Sequence, residues 1–199
     1  MKKIIALILL LAFNFCFSQN KFSKVNSEKF QETINSEYAD IKTSPLMSDD
    51  LKTFKSLNFY PINAKYFVNA KLIKAKNEKA FEMKTSTDRK PKYIKYGTVF
   101  FTIDEVALQL NVYQDVELSK SDQYKDYLFL PFSDKTCGKG SYIGGRYIDL
   151  KIPKGNSIAI DFNQSYNPYC AYNHKYSCPI VPLENDLNIE IKAGVKNFL

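Results

Sequence analysis

The 199-residue chain carries 28 Lys and Arg against 21 Asp and Glu, a formal net charge of +7, with one histidine, four cysteines, fourteen tyrosines and no tryptophan. Arginine occurs only at Arg89 and Arg146, and the lysines are scattered; nucleic-acid binders concentrate such charge on one face, so this balance argues against a nucleic-acid partner. Beyond the first residues no apolar run approaches the ~18–20 residues that cross a bilayer, so no membrane span is expected, and the length suits one domain with a sizeable core.

Met1-Lys2-Lys3 is a short positive region, Ile4 to Phe13 is apolar, and Cys16-Phe17-Ser18 offers small residues where a signal peptidase reads. The pattern predicts a secretory signal peptide over residues 1–18, cleaved between Ser18 and Gln19, and a periplasmic or extracellular product. A retained anchor is disfavoured by the shortness of the run. A lipoprotein acylated at Cys16 is disfavoured by the bulk of Phe13 and Phe15.

Residues 19–43 read as a helical segment and 44–199 as one β-rich domain. Phe30, Ile34 and Tyr38 recur every four residues, with Asn26 or Ser27 as the cap. Ser44-Pro45 stops the helix, since the residue before proline is pushed out of the helical region. Ser48-Asp49-Asp50 opens a second helix, expected to reach Leu57, with acids in the first turn where the dipole favours them. From Lys65 the period changes to two. Strands are expected at Lys65–Ile73, Ala80–Thr85, Tyr93–Ile103, Val106–Tyr113, Tyr127–Phe132, Arg146–Ile152, Ser157–Phe162 and Leu187–Ala193. Asp104-Glu105 makes a hairpin. The fold class is therefore mainly β: an antiparallel barrel or sandwich of about eight to nine strands with one or two N-terminal helices.

Two stretches break the pattern. Asp134 to Arg146 holds four of the seven glycines. Its backbone N–H groups could cradle an anion, with Lys139 and Arg146 supplying charge; a plain glycine-rich hairpin is the other reading. No P-loop spacing is present, and no helix pattern follows. Asp161 to Pro182 is longer than a structureless loop usually is. Its tyrosines argue for an ordered, packed segment, and Asp161, Asn163, Tyr166, Asn167 and Tyr172 could converge at a strand end. Asn and Asp also stabilise turns through their own backbone.

In an oxidising compartment Cys170 and Cys178 would close a disulfide, adding about 2–3 kcal/mol in the chain-entropy model, and Cys137 is left over. Cys170, His174 and Cys178 would align for zinc only on a helix, which Pro168 and Pro179 disfavour, so no metal is assigned. A Cys170–His174 nucleophile and base is possible in principle, but an oxidising compartment works against it.

The pieces Ser44-Pro-Leu46, Phe59-Tyr-Pro61, Leu130-Pro-Phe-Ser-Asp134, Ser141-Tyr-Ile-Gly-Gly-Arg-Tyr-Ile-Asp149, Asp161-Phe-Asn-Gln-Ser-Tyr-Asn-Pro168, Cys170-Ala-Tyr172, Cys178-Pro179 and Glu184-Asn185 resemble, in order, the domain of unknown function (DUF) 1684 family. The resemblance covers roughly Ser44 to Gly194. It implies a common fold and a shared polar site near the glycine-rich and Asp-Phe-Asn segments, and it supplies no activity. Ile143 stands where the family often has another glycine. Family members that look cytosolic keep both loop cysteines, which implies a thiol or metal role beside the disulfide.

The leading expectation is an exported module that binds a small anionic ligand through Asp134, Tyr142, Arg146, Asp161, Asn163, Tyr166 and Asn167, with Arg146 gripping the anion. The alternatives are a hydrolase-like or metal-dependent enzyme using Asp161 and Arg146, and a structural protein without a site.

Overall fold

The computed structural model describes residues 20–198; the expected leader and its cleavage site lie outside them. Helix α1 is Lys24–Ala39, and it buries Ile34 and Tyr38 as the four-residue spacing predicts. Its cap is Ser23, whose hydroxyl accepts from the Asn26 N–H. Ser27 instead lies fully buried in the first turn and donates to Asp161 at 2.7 Å. Helix α2, Ser48–Thr53, stops short of Leu57 because Phe54 turns extended, and it buries no residue of its own.

The strands are β1 (Phe67–Lys74), β2 (Phe81–Glu82), β3 (Lys92–Ile103), β4 (Val106–Asp115), β5 (Tyr127–Asp134), β6 (Arg146–Lys151), β7 (Ser157–Asp161) and β8 (Asp186–Leu187). They form one sheet in the order β6-β5-β4-β3-β1-β7, with β2 beside β3 and β8 beside β5. All pairs are antiparallel except the two-residue β5–β8 pair. Strands β6 and β7 stand at opposite ends of this path, yet only residues 152–156 join them. That link holds the two ends within about 20 Å, so the sheet must curl. The result is a mainly β half-barrel with two helices.

Alternation decides what each face carries. On β5 and β6, Leu128, Leu130 and Phe132 pair with Leu150, Ile148 and Arg146. The apolar members of this set join Val68, Ala70, Leu72, Val99, Phe101, Leu110, Val112, Ile158 and Ile160 in the main core. The opposite phase carries Phe129, Tyr147 and Asp149. Phe129 and Tyr147 pack with Met83, Tyr93 and Tyr113 in a second, aromatic cluster. A third cluster seats α1 by packing Ile34 and Tyr38 against Leu46, Leu57, Tyr172 and Val195.

Two polar lattices tie the chain's late segments to this sheet. Arg146 has the core phase and is fully buried. Its guanidinium pairs with Asp134 at 2.6 Å, donates to the Ile191 carbonyl at 2.9 Å and to that of Ala193, and lies over the Phe132 ring. Asp134 also accepts from the backbone N–H groups of Thr136 (2.7 Å) and Ile191 (3.3 Å). These bonds replace the ladder expected over Leu187 to Ala193, of which only β8 forms. The second lattice belongs to Asn185. Pro131 lacks a donor in a central strand, where proline is ordinarily excluded. The Asn185 amide fills in, donating to the carbonyls of Pro131 (2.6 Å) and Asn111 (2.9 Å) and accepting from the Asn111 N–H (2.8 Å).

Removing one member of a fully buried ion pair leaves the other uncompensated. Arg146→Met is expected to lower the unfolding free energy by ~3–5 kcal/mol, read as a shift of the urea midpoint. A midpoint within experimental error of the parent would refute the brace.

Candidate functional site

The residues expected to form an anion site do not do so. Arg146 has no accessible surface, and its carboxylate partner is Asp134. Asp161 is claimed by four donors: the Ser27 hydroxyl (2.7 Å), the Asn163 N–H (3.0 Å) and side-chain amide (2.7 Å), and the Gln164 amide (3.0 Å). Asn163 in turn exchanges bonds with the Asn63 backbone. Asp161 therefore pins α1 and the chain before β1 to the end of β7. Its partners and those of Arg146 share no residue. Asn167 is buried and donates to the Lys196 carbonyl (2.9 Å) and the Tyr172 hydroxyl (3.2 Å), fastening the chain's end.

The glycine-rich turn is no anion cradle either. The N–H groups of Lys139, Gly140 and Ser141 all donate to the Thr136 carbonyl, Cys137 donates to Asp134, and Gly138 to Ser141. They face inward because the turn closes on its own carbonyls. Gly145 has φ +84°, and a Cβ there would stand 2.6 Å from the Phe132 carbonyl, so only glycine delivers Arg146 into the core at this point. Cys137 serves the same turn: its sulfur accepts from the Asp134 N–H at 3.4 Å.

Tyr142 and Tyr166 belong elsewhere. The Tyr142 hydroxyl lies 4.0 Å from the Cys170 sulfur. Tyr166 lines an open cavity of about 460 Å³ on the outer face of the sheet, within the usual size of a small-molecule site. One wall is the outward phase of the strands: Tyr93 from β3, Tyr127 and Phe129 from β5, Tyr147 and Asp149 from β6. A second wall is α1, through Phe30, Thr33, Ile34, Glu37 and Tyr38. The third is the long loop, from Tyr166 through Pro168 and Tyr169 to Cys178 and Pro179. The expected loop is thus ordered, and what it closes is this cavity. The rings meet edge to face, with Phe129 and Tyr147 4.7 Å apart and Tyr147 and Tyr166 5.9 Å apart at 90°, an arrangement that suits their quadrupoles.

Asp149 is the polar centre of this wall. Its Oδ1 accepts from both the Tyr127 and Tyr166 hydroxyls, each at 2.7 Å. Burial, and then the Asp149 charge, push both phenols well above their ordinary range. Burial likewise pushes Tyr147 up, and Tyr93 to about 12. Among the described residues Glu37 and Asp149 are the only charged ones that line the cavity, and no Lys, Arg or His does.

Among the described residues no helix is long and apolar enough to cross a membrane, and no group of three or more His, Cys, Asp or Glu could hold a metal ion. His174 is exposed. The described cysteines are free thiols, so the expected Cys170–Cys178 disulfide is not formed, although the Cys170 N–H donates to the Cys178 sulfur at 3.1 Å.

Residues 52–196 match the family model described as a protein of unknown function, DUF1684. The chain belongs to this DUF1684 family. Among solved structures it is similar to the solution NMR structure of an uncharacterised protein from gene locus rrnAC0354 of Haloarcula marismortui, with a TM-score of 0.67 and 29% identity over 86% of this chain and 92% of that one. No curated protein matches the chain. The DUF1684 match begins after α1, so the Phe30 to Tyr38 wall of the cavity comes from outside the matched residues.

Sequence reasoning missed Tyr93, Tyr127, Tyr147, Asp149 and Glu37. A signal was present: on β5 and β6 the tyrosines and Asp149 occupy one phase and the aliphatic residues the other.

The raised phenols set a pH limit. A tyrosine held neutral by the fold contributes stability that is fully present below its unfolded pKa of about 10 and is lost as pH rises through the folded value. Thermal unfolding followed between pH 8 and 12 should show a flat midpoint to about pH 10 and a fall beyond it. Absorbance at 295 nm should report the cavity phenols ionising only with unfolding. Full ionisation of all fourteen tyrosines in the folded protein would contradict this.

Proposed function

We propose that this DUF1684 member is an exported binding module whose site is the tyrosine-walled cavity, and that its ligand is a small flat molecule bearing a positive charge. Export is supported by the Lys2-Lys3 and Ile4 to Phe13 pattern and the small residues before Gln19. The binding reading rests on one observation above the others: an accessible cavity of ligand size whose charged lining is acidic and whose walls are rich in aromatic side chains. Ring faces attract cations, by ~0.5–2 kcal/mol each as desolvation increases. The second oxygen of Asp149 has no partner among the described residues, because both neighbouring phenols bind Oδ1. A cation there would meet a carboxylate already oriented by two hydrogen bonds, so little ordering remains to oppose binding. This reading replaces the small anionic ligand expected from Arg146, since the guanidinium is spent inside the core.

The test uses benzyltrimethylammonium as a cationic probe, with benzyl alcohol and phenylacetate as neutral and anionic counterparts, titrated by NMR and calorimetry. The cation is expected to shift the cavity tyrosine signals and bind best. Asp149→Asn should weaken it roughly tenfold while leaving the thermal midpoint close to the parent's. Preference for phenylacetate, or the absence of cavity shifts with all three probes, would overturn the assignment.

A further inference from the structure

We propose that Cys170 and Cys178 are a thiol–disulfide exchange pair, in which Cys170 attacks a low-molecular-weight disulfide and Cys178 resolves the product. The proposal stands on the loop's geometry, with Cys178 also lining the cavity.

Cys170 sits on the short 3-10 turn Tyr169–Ala171, and Cys178 follows where the loop returns to the sheet. The Cys170 N–H donates to the Cys178 sulfur at 3.1 Å, which places that sulfur at the base of the Cys170 side chain. The Cys178 backbone is fixed in turn: its N–H donates to the Ser86 hydroxyl at 3.1 Å, its carbonyl accepts from the Ser86 N–H at 2.8 Å, and Thr85 bridges to Pro179. The two sulfurs are unbonded here, and the held Cys178 backbone keeps its sulfur beside Cys170.

The two thiols are not equivalent, and the difference assigns the roles. Cys178 is buried, at 7% exposure, whereas Cys170 is only half-buried. Cys170 is the more exposed of the two thiols, so an incoming disulfide meets it more readily. The Tyr142 hydroxyl, 4.0 Å from the Cys170 sulfur, is placed to donate to a thiolate there. The neighbouring Cys178 thiol, then the Tyr142 and Ser86 hydroxyls, hold the Cys170 thiol down to about 6 against the opposing effect of its burial. Its partner is pushed the other way by the same interaction and by burial. The other titratable or charged groups close enough to act on the pair are Tyr147, Tyr169 and Arg89. Arg89 donates to the Ser177 hydroxyl and carbonyl beside Cys178.

The step balances as follows. The Cys170 thiolate attacks one sulfur of R–S–S–R, the S–S bond breaks, and one RS⁻ leaves and takes up a proton. The Cys178 thiol gives up its proton and attacks the Cys170 sulfur of the mixed disulfide, expelling the second RS⁻. Two thiols of the protein are oxidised, one small disulfide is reduced to two thiols, and the thiolate is the nucleophile in each exchange.

Oxidised glutathione is the probe, added to the reduced full-length chain, with peptide mass spectrometry as the readout. The parent is expected to end with an internal Cys170–Cys178 disulfide. Cys178→Ser, and Cys178→Ala as a second variant for the buried position, should accumulate glutathione on Cys170, and Cys170→Ser should leave Cys178 unmodified. Circular dichroism checks that each variant is folded. Alkylation of Cys170 by iodoacetamide in the parent should rise with pH to half its maximum near 6. Glutathione on Cys137 in preference to Cys170, a parent that leaves both loop thiols free, or an alkylation midpoint near the ordinary thiol value of 9 would overturn the proposal.

Discussion

The buried pair of Arg146 and Asp134 is the interaction on which the rest of this structure depends. An arginine taken out of water is tolerable only where a carboxylate and further acceptors meet it. Here the carboxylate comes from the end of β5, the arginine from the start of β6, and the remaining acceptors from the chain near Ile191 and Ala193. One side chain thus joins the two paired strands to a segment more than 40 residues further along the chain. It also explains why the last expected strand is short. The carbonyls that a ladder would have used are already bonded to a guanidinium, and the Ile191 N–H is bonded to Asp134.

A division of labour follows. Polar groups that look catalytic on paper, Arg146, Asp134, Asp161 and Asn163, are turned inward and bonded to one another, to neighbouring polar side chains or to backbone. Aromatic groups that look like ordinary core, Tyr93, Tyr127, Tyr147 and Tyr166, surround a cavity open to solvent. The long loop makes this possible because it fastens Asn167 to the chain's last segment and Tyr166 to the outer face of the sheet. Asn167 and Tyr166 are adjacent in sequence, and one bonds the Lys196 carbonyl while the other bonds Asp149. Helix α1 completes the enclosure. Its position is set by Ser27 on Asp161 at one end and by Ile34 and Tyr38 in their own cluster further along.

Much of the fold could be read from period alone. The β-rich class, the α1 stripe, the Asp104-Glu105 hairpin and the ordered nature of the loop all follow from spacing and composition. The burial of Arg146 could also have been read. It shares its phase on β6 with Ile148 and Leu150, as Asp134 does on β5 with Leu130 and Phe132, and that phase is the core. Chemistry suggested an exposed grip, while alternation placed both groups inside, and alternation prevailed because a one-residue slip would have inverted every other side chain on the strand. The helix cap at Ser23 and the role of Asn185 were not legible. The first depends on which of several hydroxyls leaves the helix, and the second on a pairing between β4 and β5 that no local pattern announces. The cavity needed three distant segments brought together, so only its strand wall left a trace, in the tyrosines that alternate with aliphatic residues.

The most direct test is the NMR signal of the Arg146 Nε–H group, which lies buried without a hydrogen-bond partner among the described residues. If the guanidinium is an internal brace, that proton exchanges slowly with water and its shift is unchanged by added phosphate or carboxylate. Fast exchange, or a shift that saturates with added anion, would show an arginine open to ligands and would contradict the account.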